Sequence, residues 1–188
     1  MTVLKIQPFG TSLDSTVKEQ WMQVLRAWGE IQDRFITGDP GEINPYPYAF
    51  NERASVALLA GGIWGLSPKN VVMEEYATRK LGSTVSGRKR AGRADMWCRL
   101  ESAGLSATSY VCEAKALWPR LRGKKKLVDE LSTAIKDALD QVRTYNEPAQ
   151  HWPVALVFVT PHTGVERGIA RPEVMQAFMR RLEEGTGG

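Results

Sequence analysis

Two short segments, "GRADMWCRL" at 92–100 and "SYVCEAKALW" at 109–118, restrict the fold more than any other part of the chain. Met96, Cys98 and Leu100 alternate with polar or aromatic residues in the first, as Tyr110, Cys112 and Ala114 do in the second. That period of two belongs to strands with one covered face. The intervening "ESAGLSATS" supplies the small and turn-forming residues of a reverse connection. A hairpin turning near Gly104 sets Cys98 against Tyr110, Met96 against Cys112 and Asp95 against Glu113. A slip of one residue would turn Tyr110 and Cys112 to solvent, so the register is strongly constrained. The face opposite the apolar set then carries Asp95, Glu113 and Lys115. Directly opposed carboxylates, with Cβ atoms roughly 4.5–5.5 Å apart, repel unless a cation stands between them. The plainer alternative is an exposed Glu113–Lys115 ion pair with Asp95 as an ordinary polar residue.

The rest of the chain reads as an α/β sequence around this hairpin. Val17, Trp21, Val24, Leu25, Trp28, Ile31 and Phe35 recur at helical spacing from Ser15 to Phe35. "TGDPGEINPYPY" is a connection, after which Asn51 caps a second helix, "ERASVALLAGGIWG", with Glu52 in its first turn. "NVVMEEYATRKL" reads as a strand and "GSTVSGRKRAG" as a basic loop. Beyond the hairpin a helix runs from about Lys125 to Tyr145, followed by the apolar strand "PVALVFVTP" and a closing helix, "RPEVMQAFMRRL". With 188 residues, 43% of them hydrophobic and 24% charged, a single domain over 1–188 is expected. No apolar run approaches the roughly 20 residues of a membrane span and the start lacks a secretory pattern, so the expected compartment is the cytoplasm. Cys98 and Cys112 fit neither a disulfide framework nor a zinc site and read as core thiols.

The net charge of +4 hides an uneven distribution. Arg79, Lys80, Arg88, Lys89, Arg90 and Arg93 form one basic run, and Arg120, Arg122, Lys124, Lys125 and Lys126 another just after Lys115. Such runs are often solvated loops. Beside convergent acids they suit the backbone of a nucleic acid.

These residues resemble the PD-(D/E)XK nuclease superfamily, whose fold is restriction-endonuclease-like. On that resemblance "NERASVALLAGGIWG" is the first core helix with Glu52, and "VVMEEYATRK" the first strand. "RADMWCRL" is the second strand with Asp95, and "YVCEAKALW" the third with Glu113 and Lys115. It covers about 51–160, leaving 1–50 as an N-terminal helical addition and 171–184 as a C-terminal helix. A central mixed sheet of four or more strands flanked by helices is implied. Ala94 stands where the family's name-giving Pro would be. "QVRTY" resembles the Q-x-x-x-Y motif of RecB-like members, which places Gln141 and Tyr145 beside the active site.

The resemblance implies Mg²⁺-dependent hydrolysis of phosphodiesters, with Mn²⁺ as a substitute and DNA as the favoured partner. Asp95, Glu113, the Ala114 carbonyl and Glu52 would hold the metal, and Lys115 would act on the attacking water. Glu74 and Glu75 compete with Glu52 as third acid. The alternatives are a catalytically silent nucleic-acid-binding or scaffold protein on the same fold, and a nuclease toxin or phage-defence effector. The chain is too short for a separate recognition domain, so sequence specificity would need a homodimer or a partner subunit, or would be absent. His151 and His162 lie outside any nucleophile pattern, and no phosphate-binding Gly-Lys loop is present.

Overall fold

A computed structural model describes residues 14–36, 51–80, 90–101, 107–119, 124–145, 151–160 and 180. The elements in chain order are α1 (Ser15–Ile36), α2 (Glu52–Leu66), β1 (Val71–Lys80), β2 (Arg90–Leu100), β3 (Thr108–Leu117), α3 (Lys124–Arg143) and β4 (His151–Val159). The described residues are thus α/β, with three helices and one four-stranded mixed sheet in the order β1-β2-β3-β4. The first two pairings are antiparallel, and β3 and β4 run parallel with α3 as their connection.

The main core fills the sheet face predicted from the hairpin. Met96, Cys98, Leu100, Tyr110, Cys112 and Ala114 pack there with Val56, Leu59, Ala60 and Ile63 of α2 and Val17 and Val24 of α1. Both cysteines are free and buried, as expected of core thiols. The Trp-rich helix α1 is part of this core: the Trp21 ring meets Tyr110 edge-on, and Trp28 lies against Phe158 of β4. Close packing of α1 on α2 explains Gly62 of α2. A Cβ on Gly62 would stand 3.1 Å from the backbone nitrogen of Trp28, so any side chain there would force the helices apart. Asn51 caps α2 as its sequence predicts, its side chain accepting the Ala54 N–H at 2.8 Å. A second core, on the other sheet face, gathers Ala94, Val111, Val142 and Tyr145 with the partly buried Tyr76 and Trp97.

Several boundaries differ from the sequence expectations. Arg90 and Ala91 leave the expected loop and extend β2, paired with Lys80 and Arg79, because the β1–β2 ladder continues without interruption of register. The third helix ends at Arg143, short of Tyr145, and β4 begins at His151. Gly104, Arg88, Lys89, Arg120, Arg122 and His162 lie outside the described residues, as does the closing helix except for Arg180. For Arg79, Lys80, Arg90, Lys124, Lys125 and Lys126 only the backbone is described. Among the described residues no helix is long and apolar enough to cross a membrane.

Candidate functional site

The hairpin adopts the expected register from Met96↔Cys112 to Leu100↔Thr108. It then stops one pair short of Asp95 and Glu113. From that point towards Arg90, β2 stays with β1 and parts from β3. The β1–β2 ladder also skips a step there: Glu74 pairs with Met96 and Tyr76 with Ala94, leaving Glu75 and Asp95 unpaired between them. Among the described residues Glu75 is the one non-glycine with positive φ, at 51°. A left-handed residue of this kind costs about 1–2 kcal/mol and rotates the strand about its axis. The consequence is visible in the packing. Met96 and Val72 face the main core, whereas Ala94 and Tyr76, an even number of positions away, face the second one. Strict alternation therefore fails at Asp95, where the chain changes faces.

Parting from β2 exposes an edge of β3, and two carboxylates occupy it. Asp95 Oδ2 accepts the Ala114 N–H at 2.6 Å, and Glu52 Oε2 accepts the Ala116 N–H at 3.0 Å. Every second N–H of a strand leaves from one edge, so these are successive donors of the same edge. Asp95 reaches its donor from β2 and Glu52 from the first turn of α2. Lys115 lies between the two bonded residues, with its ammonium 3.7 Å from Glu113 Oε1. Glu113 is only 2% exposed, which overturns the alternative of an exposed surface ion pair. Its other oxygen meets the Tyr145 hydroxyl, which is also 2.9 Å from the Arg93 carbonyl. Tyr145 thus spans the fork between β2 and β3. Glu52, Asp95, Glu113 and Lys115, drawn from three elements, and Tyr145, just past the end of α3, come together at this fork.

The electrostatics follow from this crowding. The Glu52 carboxyl is raised above its ordinary value, first by burial and then by the charge of Asp95, against the opposing pull of Lys115 and the Ala116 N–H. Burial, the bond to Glu113 and the charges of Glu113 and Asp95 raise the Tyr145 phenol, so it stays a neutral donor. A raised acid stabilises the fold fully below its unfolded value of about 4.5, and that stability is lost as pH rises through the folded value. Without divalent cations, Glu52→Gln is therefore expected to match the parent thermal midpoint near pH 4.5 and to exceed it by a growing margin towards pH 7. A parent protein more stable than the variant at pH 7 would contradict the assignment.

Of the three acids named as candidates, Glu52 is the one that lies beside Asp95 and Lys115. Glu75 is occupied by two arginines, at 2.9 Å from Arg53 and 3.1 Å from Arg93, and the neighbouring Glu74 is exposed. Gln141 and Tyr145 do not share an uninterrupted helix, since α3 ends between them and the Gln141 carbonyl accepts the Thr144 N–H. The Gln141 side chain is half-buried, while Tyr145 reaches the fork by itself. Of the basic residues predicted to bind nucleic acid, Arg93 has a described side chain and is exposed. Arg53 went unnoticed in the sequence because it belongs to no charge run; its position next to Glu52 was the available signal.

The donor chemistry at the fork fits a hard divalent cation. Asp95 and Glu52 each commit one oxygen to a backbone N–H, and the Ala114 carbonyl leaves β3 from the same edge as its N–H. Among the described residues no three His, Cys, Asp or Glu side chains already enclose an ion site. Mg²⁺ keeps several waters and needs no more than one or two carboxylates. No protein-family model, no curated protein and no solved structure matches the chain.

Proposed function

We propose that the protein is a Mg²⁺-dependent nuclease of restriction-endonuclease-like fold that hydrolyses phosphodiester bonds, with DNA as its favoured substrate. The observation that carries this reading is the arrival of Glu52, from a separate helix, beside Asp95 and Lys115 on the opened edge of β3. A strand edge that needed only its donors satisfied would find water or neutral acceptors adequate. Here two acids sit on one strand edge, and burial first and the charge of Asp95 second raise the Glu52 carboxyl, which is an arrangement seen where charge is used.

Asp95, Glu52 and the Ala114 carbonyl would hold the metal, with Glu113 able to join by releasing Lys115 or Tyr145. When bound, Mg²⁺ would polarise the phosphate and make a coordinated water more acidic. Lys115 supplies an ammonium between the acids, placed to orient the attacking water and to offset the charge developing on the phosphorane. Tyr145 and Lys115 together fix the Glu113 carboxylate, so its orientation is set before substrate arrives. The backbone N–H groups of Ala114 and Ala116 do the same for Asp95 and Glu52. An inert scaffold would have no use for three acids so arranged.

The test is direct. Purified protein incubated with supercoiled plasmid, linear duplex and single strands should cleave with Mg²⁺ or Mn²⁺ and not with EDTA. Binding without cleavage on every substrate and with both metals would favour the silent nucleic-acid-binding alternative.

A further inference from the structure

Three acids against one lysine make the fork a poor destination for a polyanion, so cations must line the approach. The structure holds two of them in an arrangement the basic runs did not suggest. Arg53 follows Glu52 on α2, and Arg93 lies two residues from Asp95 on β2. Glu75 joins them across β1, giving Oε1 to Arg53 at 2.9 Å and Oε2 to Arg93 at 3.1 Å. Both guanidinium side chains are more than two-thirds exposed, at 80% and 70%, while the carboxylate between them is 39% exposed. Glu75 is also the residue in the left-handed conformation, at the point where β1 loses its partner Asp95.

We propose that Arg53 and Arg93 form a phosphate clamp for the nucleic-acid backbone beside the fork, and that Glu75 occupies it in the free protein as an internal stand-in for phosphate. This deepens the nuclease reading and rests on it for the choice of ligand. The chemistry matches on both sides. A carboxylate that offers one oxygen to each guanidinium makes the contacts a phosphodiester would make with its two non-bridging oxygens. The triad keeps a net positive charge, so a polyanion is still attracted. Exposed ion pairs contribute little individually, so a phosphate carrying its neighbours' charges can displace Glu75. The clamp lies on the two elements that deliver Glu52 and Asp95, so a phosphate seated in it fixes the register of the strand relative to those acids.

The experiment measures binding of a fluorescein-labelled duplex DNA in EDTA, by anisotropy at several salt concentrations, so that cleavage is not needed. R53A/R93A should weaken binding about tenfold and lower the slope of log affinity against log salt by roughly 2, as two lost phosphate contacts require. E75Q should tighten binding several-fold, and E75G should do the same while suiting the left-handed backbone, which guards against a folding failure in either variant. D140N, which removes one exposed negative charge from the Lys136 pair on α3, should have a smaller effect than E75Q. In R53A/R93A/E75Q the gain from E75Q should disappear. An unchanged affinity for E75Q and E75G, a gain equal to that of D140N, or a gain that survives loss of both arginines would each overturn the clamp. A protein that cleaves DNA yet gives any of these results keeps the nuclease reading alone. One that shows the full pattern but never cleaves keeps the clamp as a binding site.

Discussion

Asp95→Asn, Glu113→Gln and Lys115→Ala are each expected to remove most Mg²⁺-dependent cleavage, by a factor on the order of 10² or more, while the protein stays folded. The amides keep shape and acceptor oxygens but lose the charge that a hard cation requires. Asp95→Asn retains an acceptor for the Ala114 N–H, so the opened edge of β3 remains capped. Asp95→Ala would leave that donor without its partner and should lower stability by about 1–2 kcal/mol in addition. The contrast between the two Asp95 variants separates the role in chemistry from the role in holding the strand. Lys115→Ala removes the ammonium 3.7 Å from Glu113 but no backbone contact, so it should spare metal binding, measured by Mn²⁺ titration, and lower the rate. Plasmid cleavage and thermal denaturation, read together, decide each case. An unfolded variant marks its residue as structural, and one that cleaves at the parent rate removes its residue from the site.

The largest stability effect outside the apolar core is expected at Asn70. This side chain is 3% exposed and ties two elements together: it donates to the Ile63 carbonyl of α2 at 2.9 Å and accepts the Glu101 N–H, just past β2, at 2.9 Å. Asn70→Ala deletes both bonds and leaves a buried carbonyl and a partly buried N–H without partners. A loss of about 2–4 kcal/mol follows, or a thermal midpoint lower by roughly 5–15 °C. The functional consequence is indirect. Asn70 anchors the far end of the helix whose first turn carries Glu52. Asn70→Asp keeps an acceptor for the Glu101 N–H but sets a buried carboxylate against the Ile63 carbonyl, so near pH 7 it should be no more stable than alanine. A midpoint within 2 °C of the parent for Asn70→Ala would show that this link does not hold α2 in place.

Much of this architecture was legible in the chain because local rules and burial agree. Period-two alternation over Met96, Cys98 and Leu100 and over Tyr110 and Cys112 determined the hairpin register, since a single slip would expose a whole apolar set. The helical stripe of α1 and the Asn51 cap of α2 marked two of the helices for the same reason: each local preference points to the same core. The residues Asp95, Glu113, Lys115 and Glu52 could be named from the sequence, but their geometry could not. Periodicity assumes strict alternation of faces, and in β2 that alternation fails at Asp95 opposite the left-handed Glu75. That change of face, with the parting of β2 from β3, turns an expected cross-strand pair of carboxylates into a fork in which Asp95 caps β3 and Glu113 is buried against Tyr145. Tyr145 itself shows the limit of helical spacing. It lies beyond the end of α3 and meets Glu113 there, so the shared helix face that four-residue spacing from Gln141 assumes is absent. The placing of Glu52 at the edge of β3, and the joining of Arg53 and Arg93 through Glu75, depend on contacts between residues 18, 22 and 64 positions apart, across four elements. Spacing along the chain carries no information about such contacts; they exist only once the sheet and its covering helix have set which side chains meet.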